Sequence, residues 1–422
     1  MRRNYLQVAI ILALSLLRQL CWAQDSLRLT LPEAEKIFLQ QNLSLLAQRY
    51  HIDMAKAQVI QAKLYNNPNI QFEGNIYNPQ LKKAFNIGNP YGQYTVEVTQ
   101  LINLAGKRNK QVKMAQTNVV LEESRFFDLL RTLQFTLRSN FYQLYFLQQA
   151  INGYALQVSY LEKLNTAHQE LLAKGMVTLK DAVRIKSLLY TLKAEQTSLQ
   201  NQVNEINAEL QLLLQNRAPL IPVIKQFNAV SELKRYTLAS LLDTATANRY
   251  DLKEARQNLV YSQQNYALQK ALAVPDVTLG AQFDKRGSFV DNATFFTVGI
   301  DLPFFNRNQG NIKSAKFNID QSKVVLQLQN ETLRKEVQSA YLKAINTSQM
   351  LQSFDPGFVQ ELQKLLVSVA NGFQRKDLSL LEFTDFYESY KDNLVQFYQL
   401  QNEQMQAIET LQFAVGKTIF NY

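Results

Sequence analysis

The chain has 422 residues, a formal net charge of +10, and only 13 Gly and 9 Pro. No proline falls between Pro90 and Pro219 or after Pro356. Proline-free stretches of that length, rich in Leu, Gln, Lys, Glu and Ala, favour long helices over a string of small domains. The basic residues are dispersed rather than bunched, which argues for a solvated surface and against nucleic acid as a partner.

The N-terminus carries Arg2 and Arg3, an apolar stretch from Tyr5 to Leu17, and the sequence CWAQ at Cys21–Gln24. Small residues at Cys21 and Ala23 fit a signal peptide spanning 1–23, cut before Gln24. The apolar stretch is too short for a permanent membrane helix. Cys21 could instead be lipidated, although Arg18-Gln19-Leu20 before it lacks the small residues that such a site needs. It is the sole cysteine, so the mature chain would be held by packing or assembly rather than by disulfides. Cleavage would leave 42 Lys and Arg against 35 Asp and Glu, a net charge of +7.

In chain order, Leu31–Leu64 reads as helix, broken near Asn42 and again before Pro68, with Thr30 or Leu31 ahead of Pro32 and Glu33 as its capped start. A strand over about 69–78 puts Ile70, Phe72 and Ile76 on one face and Gln71, Glu73, Asn75 and Tyr77 on the other. After a turn-rich loop, a second strand over about 93–102 alternates Tyr94, Val96 and Val98 with Thr95, Glu97 and Thr99. Long helices are expected over about 104–173 and 179–214, with Gly175 between them. At ~1.5 Å per residue the first would reach roughly 100 Å.

The order then repeats. Thr30-Leu31, Asn42 and Pro68 reappear about 207 residues on as Thr237-Leu238, Asn248 and Pro275. Strands are expected at about 276–285 and 293–302, and long helices at about 309–371 and 378–415. Asp355-Pro356-Gly357 interrupts the third long helix, and Gly153 stands near the corresponding place in the first. The chain thus divides into a first repeat at 24–215, a linker at 216–236 containing Pro219 and Pro222, a second repeat at 237–416 and a tail at 417–422. A period this long is a duplicated supersecondary unit rather than a solenoid. Four amphipathic strands cannot close a barrel, so their edges must pair with other chains. Three chains would supply about a dozen strands, within the range of outer-membrane barrels.

The duplicated order, the opening LTLPEAEKIFLQQN at Leu29–Asn42 and the strand-initiating prolines resemble the TolC-like outer-membrane factors over essentially the whole mature chain. Two strand-to-helix motifs, LINLAGKRNKQVKMA at Leu101–Ala115 and LPFFNRNQGNIKSA at Leu302–Ala315, are similar to the CzcC and CusC branch that exports metal cations. The resemblance implies a mainly α fold with a small β part: a homotrimer whose 12-stranded barrel in the outer-membrane lipid continues into a periplasmic α-helical barrel. It implies a passive duct working with a periplasmic adaptor (membrane fusion) protein and an inner-membrane RND pump. Metal cations are the favoured cargo, with drugs and other organic compounds the alternative. A soluble periplasmic coiled-coil adaptor is the rival reading.

The residues point to no enzyme and no cofactor. His51 and His168 are the only histidines and lie far apart. They read as packed or solvated side chains, and the methionines are scattered, so no metal site is expected. The AGKR at Ala105–Arg108 is not a phosphate loop, because Leu101 stands where its first glycine would be. By the resemblance, the two helix-hairpin turns form the periplasmic tip. Glu382 and Asp385 match the acids that ring the narrowest aperture, and Asp181 matches an acid that ties the closed tip. Gly175, Met176, Val177, Thr178 and Leu179, with Leu378, Ser379 and Leu380, become the adaptor-contact candidates. Two departures stand out: Lys376 replaces the tip glycine, and Leu378 replaces the arginine that would pair with Asp181, leaving Arg375 or Arg184 as possible substitutes.

Overall fold

The computed structural model describes residues 26–88, 91–224, 233–286, 290–355, 357–375 and 377–420. The signal peptide expected at 1–23, with Cys21, lies outside the described residues, as do Pro90, Pro356 and Lys376. The fold is mainly helical with a small β part. Among the described residues no helix is long and apolar enough to cross a membrane.

The chain opens with β1 (Leu27–Thr30), α1 (Leu31–Gln41) and α2 (Leu43–Lys63). Thr30 caps α1 in a capping box: its backbone N–H donates to the Glu33 carboxylate at 2.8 Å, with Pro32 in the first turn. Strand β2 (Asn69–Gly74) follows, then the short β3 (Tyr77–Asn78) and β4 (Lys83–Ala84), then β5 (Tyr94–Ile102). The first expected strand therefore stops at Gly74, and Tyr77–Asn78 pair separately with Lys83–Ala84. Helix α3 runs unbroken over Lys107–Ala173 and α4 over Leu179–Leu214.

The second repeat comprises α5 (Leu238–Asn248), α6 (Tyr250–Leu272), β7 (Val277–Asp284), β8 (Ala293–Ile300), α7 (Gln309–Gln352), α8 (Phe358–Gln374) and α9 (Leu380–Val415). Between the repeats, β6 (Leu220–Val223) pairs in parallel with β1, Leu27 opposite Leu220 and Thr30 opposite Val223. The expected linker is thus partly sheet. A two-stranded ladder tolerates Pro222 because only one side of it is paired.

Two compact units divide the chain: one up to Leu46, Leu129–Arg249 and from Leu333 onward, the other Ala47–Asp128 with Tyr250–Thr332. The first unit is held by a seam in which Tyr154, Val158, Leu161 and Leu164 of α3 meet Ile185, Leu189 and Leu192 of α4, Leu362 and Leu366 of α8, and Phe383, Tyr387, Tyr390 and Leu394 of α9. Steps of three and four residues keep such a stripe on one face of a helix pair. Gly153 does not interrupt α3. A Cβ there would come within 2.3 Å of Leu394 Cδ2, so the glycine admits a close approach between helices.

The kinks after α1 and α5 obey one rule with different chemistry. Asn42 Nδ2 donates to Leu213 O of α4 at 3.0 Å, and its Oδ1 accepts the Leu45 N–H at 3.1 Å. Its structural counterpart is Arg249, the C-cap of α5, rather than Asn248. Arg249 is 2% exposed, pairs with Glu336 and donates to Ala414 O of α9 at 3.3 Å. Each kink side chain therefore satisfies a carbonyl in the last turn of the returning helix, where no intrahelical donor exists. The tail is packed: Phe420 is fully buried, and Gln412 Oε1 accepts the N–H groups of Ile419 and Phe420 at 3.0 and 3.1 Å.

In the second unit, β2-β5-β7-β8 form a four-stranded antiparallel sheet, in that order. The register aligns Ile70, Val98, Ala281 and Phe296 across it, with Phe72, Val96 and Phe283 on the next row. One face is thus apolar, and much of it is open: Ile70 70%, Phe72 60% and Phe296 73% exposed. Glu97 and Thr297 share the other face, their side chains 3.3 Å apart. At the foot of the sheet Asp276 accepts the Leu104 N–H at 2.9 Å and pairs with the buried Lys107 at 2.8 Å, which anchors the start of α3.

Candidate functional site

The two hairpin turns in the first unit are built alike, at an offset of 201 residues. In the first, the Met176 N–H donates to Leu171 O and the Gly175 N–H to Leu172 O, both at 2.9 Å. That is a Schellman ending, and it needs the left-handed backbone of Gly175, φ +69. In the second, the Asp377 N–H donates to Gly372 O at 2.9 Å. The same long-range bond closes both turns. The Lys376 substitution lies outside the described residues.

Each turn is followed by a capped helix. The Thr178 hydroxyl accepts the Asp181 N–H at 3.1 Å and donates to the Asp181 carboxylate at 2.7 Å. Ser379 and Glu382 form a complete capping box: the Ser379 N–H and hydroxyl donate to Glu382 at 2.8 and 2.7 Å, and the Glu382 N–H returns to Ser379 Oγ at 3.2 Å. These bonds from the Ser379 backbone and then its hydroxyl hold the Glu382 carboxyl below its ordinary pKa. Glu382 is therefore an exposed anion at neutral pH. Asp385 follows one turn on and is exposed as well. No hydrogen bond or ion pair joins Asp181 to either of them.

Arg375 pairs with Asp377 inside its own turn at 3.0 Å, and Arg184 is exposed. Neither takes the place of the missing arginine at 378 by bonding Asp181. Leu378 is half-buried and packs over Gly372, whose added Cβ would lie 3.3 Å from Leu378 Cδ1. Beside the turns, His168 stacks on Phe373 (ring centroids 5.7 Å apart, planes at 9°), and Phe373 stacks on Phe383 at 4.5 Å. These aromatic contacts tie the two hairpins together near their ends.

Of the eight turn residues singled out from the sequence, Gly175, Met176, Thr178, Leu179 and Ser379 are exposed, while Val177, Leu378 and Leu380 are half-buried. Met176 and Leu179 present the large apolar surfaces, each 67% exposed. Leu380 packs against the seam. Sequence reasoning missed its neighbour Leu381, 61% exposed, and Val183, 51% exposed. In a Leu-Leu pair at a helix start, only the packing decides which member faces out.

Residues 241–417 match the family described as outer membrane efflux protein. No curated protein matches the sequence. Among solved structures, the fold is similar to the Campylobacter jejuni CmeC outer membrane channel (TM-score 0.74, 14% identity, 92% of this chain and 85% of that one). It is similar to the outer membrane protein VceC of Vibrio cholerae (0.69, 17%, 92% and 97%). It is likewise similar to CusC (0.66, 18%, 92% and 92%). Of these three, CusC has the highest identity and the lowest TM-score, so the likeness does not single out the CzcC and CusC branch. The match to the outer membrane efflux protein family thus falls within the second half of the chain, and the chain as a whole carries the fold of the solved outer-membrane channels.

Proposed function

We propose that the chain is the outer-membrane duct of a tripartite efflux system in a Gram-negative bacterium. Three copies would join into one 12-stranded barrel in outer-membrane lipid. The observation that carries this reading is the sheet of the second unit. Its edge strands β2 and β8 have no partner on their outer sides among the described residues, and its apolar face is open. Unpaired backbone beside exposed apolar side chains is stable in lipid only when the sheet closes on itself.

Two helix stripes support the same assembly. Tyr50, Met54 and Ile60 on α2, which leads into β2, are 54–67% exposed. Phe317, Val324 and Leu328 on α7, which follows β8, are 61–66% exposed. Both open stripes therefore continue an open sheet edge, as expected where a neighbouring copy covers them.

In this reading the hairpin turns form the periplasmic end. Met176 and Leu179 meet the adaptor protein, with Gly175, Val177, Thr178, Leu378, Ser379 and Leu380 shaping the surface. Glu382 and Asp385 line the narrowest aperture, where three copies of each attract cations and retard anions, and Asp181 steadies the facing hairpin. Energy comes from an inner-membrane RND pump. The cargo is metal cations, on the strength of the strand-to-helix motifs.

The test is membrane fractionation with heat-modifiable gel mobility, followed by planar-bilayer recording. Detergent-dependent trimers with ohmic conductance support the duct. A detergent-independent monomer or dimer replaces it with the periplasmic adaptor reading.

A further inference from the structure

This inference rests on the trimeric barrel just proposed and concerns how its protomers lock. Straight across the sheet, Ile70 stands level with Phe296 through Val98 and Ala281. A barrel of about 12 strands tilted by ~35–45° needs its register to advance by roughly four to six residues per protomer. An even advance also keeps the apolar faces together. One direction brings Ile70 of the next protomer opposite Ile300 or Leu302 and leaves β2 and β8 overlapping. The other would set nearly all of β2 beyond Ala293, the first residue of β8, so overlap selects the first. Continued past the strand, that register sets Phe305 opposite residues 65–67 of the next protomer.

Both partners are conspicuous. Phe305 is 95% exposed and Phe304 72%. At the foot of β2 and β5 lies a groove of about 370 Å³, lined in part by Tyr65, Leu101, Ile102, Gly106 and Arg108. The groove is held in shape by its own contacts. Arg108 lies 3.7 Å over the Tyr65 ring and donates to Lys63 O at 3.3 Å, while Gln100 Nε2 donates to Asn66 O at 2.9 Å. Tyr65 itself is 77% exposed, which leaves ring surface for a second aromatic.

We propose that Phe305 of each protomer inserts into the Tyr65–Arg108 groove of the next, an aromatic lock at the periplasmic foot of the barrel. It continues the open stripes of α2 and α7 and gives the GKR motif at Gly106–Arg108 a role: shaping the receptor for a neighbouring copy.

The test is oxidative cross-linking of trimers carrying Phe305→Cys and Asn66→Cys, in a chain whose only other cysteine is Cys21. The expected result is a covalent trimer on non-reducing gels, absent from either single variant. Because Phe305→Cys itself removes the lock, a second pair, Ile300→Cys with Ile70→Cys or Phe72→Cys, tests the register with Phe305 intact. Phe305→Trp in vesicles of brominated phospholipid supplies an optical readout, with emission expected to lose less than about a tenth of its intensity. Trimers that assemble and conduct but form neither cross-link overturn the lock and leave the duct standing. Strong quenching of the Trp overturns it too and places Phe305 in lipid. Failure of the unsubstituted chain to form any trimer overturns the duct itself.

Discussion

Glu382 has two physical roles that can be separated: it closes a capping box with Ser379, and it carries a charge that the proposed aperture would use. Glu382→Gln keeps an acceptor for the Ser379 N–H, since glutamine serves at this position of a capping box, but removes the charge. Ser379→Ala keeps the charge but loses the hydroxyl that bonds Glu382 at 2.7 and 3.2 Å. Loss of an N-cap serine costs about 1 kcal/mol, which opens the first turn of α9 roughly fivefold more often. Glu382→Gln keeps the Ser379 hydroxyl bond and loses only the charged form's share of the cap, so it should raise that opening less than Ser379→Ala does. In a trimer it would take the formal charge from Glu382 and Asp385 from six to three, which should lower the cation-to-anion permeability ratio roughly twofold or more. Reversal potentials across a salt gradient measure the ratio, and hydrogen exchange at residues 380–383 measures the opening. Equal selectivity changes in the two variants would refute the aperture role, because the effect would then follow the helix end rather than the charge.

Three further outcomes are expected. The Glu382 carboxyl has a depressed pKa in the folded chain, so the cap's contribution is complete above the ordinary value of 4.5. It is lost only as pH falls through the lower folded value. Hydrogen exchange at the start of α9, corrected for intrinsic rates, should therefore be flat from pH 8 to 5 and rise only below about pH 4.5; a rise near pH 6 would contradict the capping box. Gly153→Ala sets overpacking of ~1–3 kcal/mol against a helix gain of ~1 kcal/mol. The helices should therefore unfold at lower temperature by circular dichroism, and adding Leu394→Ala should make the two effects non-additive; simple additivity would mean the contact is not felt. Asn42→Ala loses a cap and leaves Leu213 O unsatisfied, about 2–4 kcal/mol together. Asn42→Ser retains a cap acceptor and loses the reach to Leu213 O without adding a charge, so it should be the milder of the two in local hydrogen exchange around Leu45; equal effects would show that the cap is not what Asn42 contributes.

What the sequence determined by itself was local. Thr30-Pro32-Glu33 announces a helix start because capping acts within four residues. Gly175 announces the end of a helix because a glycine acts through its own backbone. Alternation in Tyr94–Ile102 and Ala293–Ile300 announces strands because each residue chooses its face from its neighbours. The duplication was legible for the same reason, since each repeat carries its own punctuation.

Only the tertiary structure decided matters that depend on residues far apart in the chain. The pairing of β1 with β6 joins segments separated by most of a repeat, and Pro219 and Pro222 made the second of them read as a linker. Arg249 could not be matched to Asn42 by residue type, because an amide and a guanidinium do the same work there: each reaches a bare carbonyl at the end of a returning helix. Leu380 and Leu381 are identical in composition and opposite in fate, because the seam of α3, α4, α8 and α9 covers one and not the other. Burial is a property of the partner surface, and a single strand of sequence carries only one side of it.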